Sequence, residues 1–212
     1  MLKEIAKKFG TDKEEHGYTK VYESLFESIK DDEINLFEIG VLRGASLRTW
    51  NEYFQKGNIY GLDIFHRKEH QEIPDKLKKE GITAFKGSQA DRDRLKEVMN
   101  EIGKPLDIII DDGAHWNDFI QISLGCLFPY LKSGGYYIIE DLHTAMDRQN
   151  RKLKNNPKHT WSPDIRVLEK QWHENKEFEF IHMQEDEQKH FFENVDEWQT
   201  KVNGKLMVIK KK

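Results

Sequence analysis

Ile34-Asn35-Leu36-Phe37-Glu38-Ile39-Gly40-Val41-Leu42-Arg43-Gly44 decides the architecture. Its first six residues are a strand-sized apolar run that ends on a glycine. Gly44 then opens residues 44–53, where Leu47 and Trp50 share one helical face. Gly40 permits a tight backbone path, and Gly44 permits close packing of helix against strand or ligand. A strand, a glycine turn and a helix in that order begin a βαβ unit.

The pattern repeats outward from this point. Residues 58–64 give a second strand, the polar segment 67–80 contains a short helix interrupted or started near Pro74, 82–85 gives a third strand and 91–101 a helix. Leu106-Asp107-Ile108-Ile109-Ile110 is the clearest central strand, and 117–130 can form the next helix. Gly134-Gly135 turns the chain into a fifth strand at 136–139, and 178–183 and 205–209 supply two later strands. Alternating strands and helices predict an α/β fold, a Rossmann-like three-layer sandwich around a mostly parallel seven-stranded sheet with an antiparallel edge. Residues 1–33 read as a helical cap of the same domain, whose body is 34–212.

Composition bounds the function. The 212 residues are 37% apolar, 34% charged and 11% aromatic, which is polar overall yet sufficient for a core. A formal charge of -4 argues against a general nucleic-acid binder. The single cysteine, Cys126, excludes an internal disulfide framework and reads as a small buried hydrophobe. Apolar runs are too short to cross a bilayer, and residues 1–10 offer no export signal, so a cytoplasmic location without a membrane partner is expected. A homodimer is the base-rate expectation for assembly.

The glycine spacing differs from Gly-x-Gly-x-x-Gly and lacks the Gly-Lys-Ser/Thr ending of a P-loop, which disfavours nicotinamide-dependent reduction. Asp63 ends the second strand, where a carboxylate can accept two hydrogen bonds from a ribose diol. Ser88-Gln89-Ala90-Asp91 follows the third strand and could meet a purine edge, or Asp91 could cap the next helix. Together these residues resemble the class I S-adenosylmethionine-dependent methyltransferases over about residues 34–211. The resemblance implies that Glu38, Gly40 and Gly44 wrap the amino-acid part of S-adenosylmethionine, that Asp63 holds its ribose, and that Ser88, Gln89, Ala90 and Asp91 approach its adenine.

Ile109-Ile110-Asp111-Asp112-Gly113-Ala114-His115 places two carboxylates at the end of a hydrophobic strand, and Glu140-Asp141 leaves the next strand with His143 beyond it. Neighbouring parallel strands bring such ends together, and four converging carboxylates repel one another unless protonated, hydrogen-bonded or matched by a cation. Mg²⁺, or another hard divalent cation, meets that demand through oxygen ligands, with Asp112, Glu140 and Asp141 the best set. Asp111 could instead anchor the backbone, orient the loop or contact cofactor. His115, three residues after Asp112, is read foremost as a catalytic base, with metal ligation or a structural role as the other options.

This arrangement is similar to a narrower family, the metal-dependent sugar O-methyltransferases of macrolide biosynthesis and related polysaccharide-modifying enzymes. Three segments carry the likeness: Gly10-Thr11-Asp12-Lys13 followed by His16, Tyr18 and Tyr22; Asp111-Asp112-Gly113-Ala114-His115; and Ile139-Glu140-Asp141-Leu142-His143. It implies Asp112, Glu140 and Asp141 as metal ligands and His115 as general base. Tyr18 and its neighbours would close over cofactor or acceptor. His143 reads as a substrate-contact or loop residue.

The expected reaction is Mg²⁺-dependent transfer of a methyl group from S-adenosylmethionine to a hydroxyl of a small-molecule sugar. Residues 146–163 carry Arg148, Arg151, Lys152, Lys154 and Lys158 with few apolar anchors. They read as a solvated connector, or as a lid whose Arg148 meets an anionic, nucleotide-linked acceptor. The alternatives are a catechol-like acceptor, or a noncatalytic nucleotide- or metabolite-binding protein that keeps Gly40, Gly44 and Asp63 without a metal site.

Overall fold

The computed structural model describes residues 1–145 and 162–212. Within them β1 (Asn35–Ile39), β2 (Asn58–Asp63), β3 (Thr83–Lys86), β4 (Leu106–Asp111), β5 (Leu131–Ile139), β6 (Val195–Lys201) and β7 (Leu206–Lys211) form one sheet. Strand order is β3-β2-β1-β4-β5-β7-β6. Only β7 runs against its neighbours, which makes the antiparallel edge, and the remaining pairs are parallel.

Alternation of side chains along the strands sets the layers. Leu36, Ile108, Ile110 and Ile138 enter one apolar cluster with α1 (Leu2–Phe9), α2 (Tyr18–Phe26), α3 (Ala45–Tyr53) and α4 (Ile73–Lys79). Phe37, Ile39, Ile109, Tyr137 and Ile139 enter the other. There they meet α5 (Arg92–Ile102), α6 (Asn117–Leu127), α7 (Ile165–His173) and α8 (Glu185–Asn194). The two clusters on opposite faces give the three-layer sandwich. Pro74 sits in the first turn of α4, where its missing N–H costs no helical bond. Cys126 is buried, and that burial pushes its thiol up to about 11.

Two late elements differ from the sequence expectation. Residues 178–183 are not a strand; the sheet takes Val195–Lys201 instead. Phe178 and Phe180 bury their rings against Trp198, with centroids 6.1 and 5.8 Å away. The Phe180 N–H is held by Gln188 Oε1 at 3.1 Å. Their alternation therefore reflects aromatic packing from an irregular segment, not a ladder. In β6 the buried Val195 and Trp198 lie three apart, and an irregularity between Val195 and Glu197 lets both face the core. The fifth strand also begins earlier than residue 136. It starts at Leu131, and its pairing with β4 shifts register where Gly134 takes φ 76°. No helix among the described residues is long and apolar enough to cross a membrane.

Candidate active site

The sheet order reverses direction between β1 and β4, so the carboxyl ends of these strands flank a crevice. A cavity of about 560 Å³ opens there, lined by residues that include Gly40, Leu42, Asp63, Ser88, Gln89, Asp112, His115 and Asp141. That volume is in the range of small-molecule sites.

Gly40 is required by contact as well as by conformation. Its φ is 92°, and a Cβ there would lie 2.0 Å from the carbonyl oxygen of Asp112. The β1–α3 turn thus touches the β4–α6 turn backbone to backbone. Gly44, with φ 82°, leads into α3, where a Cβ would meet Leu77 Cδ2 at 2.8 Å. Asp63 braces the same turn: its Oδ2 accepts from the N–H groups of Val41 and Leu42, and its Oδ1 from that of Phe65, each at 2.9 Å. Three of its roughly four acceptor positions are occupied by backbone, which leaves room for about one further bond.

The segment after β3 divides. Ser88 and Gln89 reach the cavity wall. The Ala90 N–H donates to Ser88 Oγ at 3.2 Å, and Asp91 caps α5 by accepting from the Arg94 N–H at 3.0 Å. Gln89 turns inward, donating to both oxygens of Asp111 at 3.1 Å and accepting from the Ala114 N–H at 2.7 Å. Ser123 Oγ also donates to Asp111. Asp111 is thus an internal brace for the 111–114 loop.

Burial pushes the Asp111 carboxyl up to about 6, against hydrogen bonds from Ser123, Gly113 and Gln89 that favour its charged form. A carboxyl raised by folding contributes stability that is complete below its unfolded pKa, and that contribution is lost as the pH rises through about 6. Asp111→Asn is expected to remove this pH-dependent loss, on the order of 3 kcal/mol between about pH 4 and pH 7. Urea unfolding of both proteins across that range checks it, and a constant difference between them would refute it.

The two acidic strand ends meet at Asp112, while Glu140 and Asp141 fall in separate groups. Asp111 pairs with Ile139 across β4 and β5, and the Glu140 N–H donates to the Asp111 carbonyl at 3.0 Å. Asp112, His115 and Asp141 offer ligand atoms within 4.8 Å of one another, and so do Glu38, Asp112 and Glu140. Asp112 belongs to both groups. His115 Nε2 stands 3.9 Å from Asp112 Oδ1 and 3.9 Å from Asp141 Oδ2. His115 and Asp141 both have left-handed backbone, with φ of 54° and 55°, conformations uncommon outside glycine.

Lys13 is the residue whose position the sequence did not reveal. Its side chain is 1% exposed, and its Nζ lies 3.0 Å from Glu38, 2.8 Å from Asp112 and 2.6 Å from Glu140. Burial alone would lower the Lys13 pKa, but Asp112, Glu140 and Glu38 raise it well above the usual lysine value, so it stays an ammonium. Glu38 also accepts from Ser46 Oγ at 2.6 and 2.7 Å and from Trp50 Nε1 at 2.9 Å. It lies beneath the cavity floor, 0% exposed, as part of the acidic cluster. Burial, with the charges of Asp112 and Glu38, pushes the Glu140 carboxyl well up despite Lys13. One ammonium does not balance the carboxyls of Glu38, Glu140 and the partly exposed Asp112, so the cluster needs a bound proton or a further cation.

Asp141 differs. Burial would raise it, but the Tyr18 hydroxyl, 2.7 Å away, together with His115, His16 and His143, holds it below the usual carboxylate range. Tyr18 is buried against the acidic pair, and Tyr22 donates to Glu140 Oε1. His143 is exposed, its ring 6.4 Å from that of His16. Arg148 and the other cations of 148–158 lie outside the described residues. The Gly10-Thr11-Asp12-Lys13 segment was a usable signal for Lys13. A lysine before an amphipathic helix otherwise reads as solvated.

No family model matches the chain. Among curated proteins, the demethylmacrocin O-methyltransferase of Streptomyces fradiae is 39% identical over 137 residues, 61% of this chain and 33% of that protein. The mycinamicin VI 2''-O-methyltransferase of Micromonospora griseorubida is 36% identical over 137 residues, covering 61% of this chain and 32% of its own length. Among solved structures, the MycE methyltransferase from the mycinamycin biosynthetic pathway, in complex with Mg and SAH, superposes with TM-score 0.73 at 25% identity. The match covers 99% of this chain and 54% of that one. The chain therefore spans about a third of these curated relatives and about half of the solved one.

Proposed function

We propose, from its similarity to the demethylmacrocin and mycinamicin VI O-methyltransferases and to the MycE methyltransferase, that this chain is a class I S-adenosylmethionine-dependent methyltransferase that methylates a sugar hydroxyl with the help of a divalent cation. The observation that carries the reading is the meeting of Asp112, His115 and Asp141 within 4.8 Å, on the wall of a cavity that also holds Gly40 and Asp63. The donor chemistry fits a hard cation: carboxylate oxygens dominate, and the single ammonium of Lys13 does not match their number. Asp112, Glu140 and Asp141 would hold it.

When bound, S-adenosylmethionine supplies the activated methyl group and Mg²⁺ supplies charge to acidify and orient the acceptor. Gly40 keeps the wall open where any side chain would meet Asp112. Asp63 would take a ribose hydroxyl with its remaining acceptor capacity, and Ser88 and Gln89 would border the base. Glu38 and Gly44 would support the amino-acid end from below, as Asp111 supports the 111–114 loop; Ala90 and Asp91 fix the segment that carries Ser88. His115 would accept the acceptor's proton at Nε2, and Asp112 and Asp141, each 3.9 Å from that atom, would stabilise the resulting imidazolium. His143 would border the acceptor, and Tyr18, buried with its hydroxyl on Asp141, would act through that carboxylate. A nucleotide-linked acceptor rests on the composition of residues 148–158 alone.

The test is methyl transfer from labelled S-adenosylmethionine to a panel of glycosylated macrolides and nucleotide sugars, before and after chelation. Turnover is expected to fall at least 100-fold on chelation, given the several kcal/mol that such an ion supplies, and to return with Mg²⁺. Transfer that persists at full rate after exhaustive chelation would overturn the metal-dependent reading.

A further inference from the structure

Three donors from one short stretch, residues 13–22, meet the three carboxylates of the site. The Lys13 ammonium takes Asp112 Oδ2 and Glu140 Oε1. The Tyr18 hydroxyl takes Asp141 Oδ1, and the Tyr22 hydroxyl shares Glu140 Oε1 with Lys13. In every case the donor holds a single oxygen. The opposite oxygens of Asp112 and Asp141, Oδ1 and Oδ2, are the ones that face His115 Nε2.

The donors are built to stay. Tyr18 and Tyr22 are one turn apart on the same face of α2, which matches the adjacent Asp141 and Glu140. Both rings are 0% exposed, and Tyr22 is wedged between Phe26 and Trp50 at centroid distances of 5.5 and 5.1 Å. Mg²⁺ demands near-octahedral oxygen positions, so a carboxylate that swings to offer both oxygens consumes a place needed elsewhere. Groups that hold a ligand from behind determine how it presents itself.

We infer that Lys13, Tyr18 and Tyr22 are positioning residues that pin one oxygen of Asp112, Asp141 and Glu140, so that each presents only the other to the cation. The inference rests on the divalent-cation reading above, and the experiment separates the two. Mn²⁺ is titrated into the full chain and followed by calorimetry and electron paramagnetic resonance, with bound water counted by proton relaxation. Tyr18→Phe and Tyr22→Phe each lose one hydroxyl and keep the ring, and melting is recorded alongside.

Wild type is expected to bind Mn²⁺, and each variant to bind it about 10–100-fold more weakly. Each variant should also hold fewer waters on the ion, as the released carboxylate oxygen takes a position. S-adenosylhomocysteine affinity should stay within two-fold. Folded variants that melt earlier but bind Mn²⁺ within two-fold of wild type, with the same water count, would mean that the hydroxyls only satisfy buried acceptors, and would overturn the inference while leaving the metal reading intact. Wild type that binds no Mn²⁺ overturns the metal reading and the inference with it.

Discussion

Lys13→Met is expected to destabilise the fold by ~3–5 kcal/mol at pH 8, the usual consequence of leaving buried charges without their partner. The ammonium lies within 3.0 Å of Glu38, Asp112 and Glu140, and the first and last of these are nearly inaccessible to water. Without it, and with divalent cation chelated, the three carboxyls reduce their repulsion by taking up protons. The loss should therefore shrink toward pH 5, where the folded state binds protons that the unfolded chain has already released. Chemical denaturation at both pH values measures it. Lys8→Met is the control, since the Lys8–Glu52 pair is largely exposed and such pairs contribute roughly 0–1 kcal/mol. Equal effects of the two substitutions would refute the role assigned to Lys13.

His115→Asn should lower kcat by about 10²–10⁴-fold with any acceptor that wild type turns over, the range expected for loss of a general base. Asn is chosen because it tolerates the left-handed backbone that His115 adopts at φ 54°. The same variant decides between two roles for the imidazole. A base leaves Mn²⁺ affinity within a few-fold, whereas a ligand takes that affinity down with the rate. Turnover within ten-fold of wild type would remove His115 from the chemistry.

The parts of the fold that follow apolar periodicity were legible. β1 with its glycine turn, β4, and the ends that carry Asp112 and Glu140 all emerge from short Ile/Leu/Phe runs, because parallel strands buried on both faces read as near-continuous apolar segments. The edge was not. Val195–Lys201 contains Asp196, Glu197, Gln199 and Lys201, since an outer strand needs only one buried face and benefits from charge on the other. The stronger aromatic alternation at 178–183 misled because rings can pack without a ladder.

Within the site, the meeting of the acidic pairs could be anticipated from strand adjacency alone. Their sorting could not. Asp111 faces inward to Gln89 and Ser123 while Asp112 faces the cavity, a difference set by the pleat of a single residue. The Gly10-Thr11-Asp12-Lys13 motif marked Lys13, but not its burial or its contacts, because lysine is almost never buried unless paired and its partners lie 25 to 127 residues away in the chain.

Lys13, Tyr18 and Tyr22 all precede the first strand, although the groups they hold stand at the ends of β1, β4 and β5. A fragment cut at residue 34 would retain every strand of the described residues together with Glu38, Asp112, Glu140 and Asp141, and would lack the ammonium and both phenols that arrange them. For anyone grafting this centre into a chimera or a circular permutant, the transplantable unit is therefore discontinuous: the leading helices must travel with the sheet.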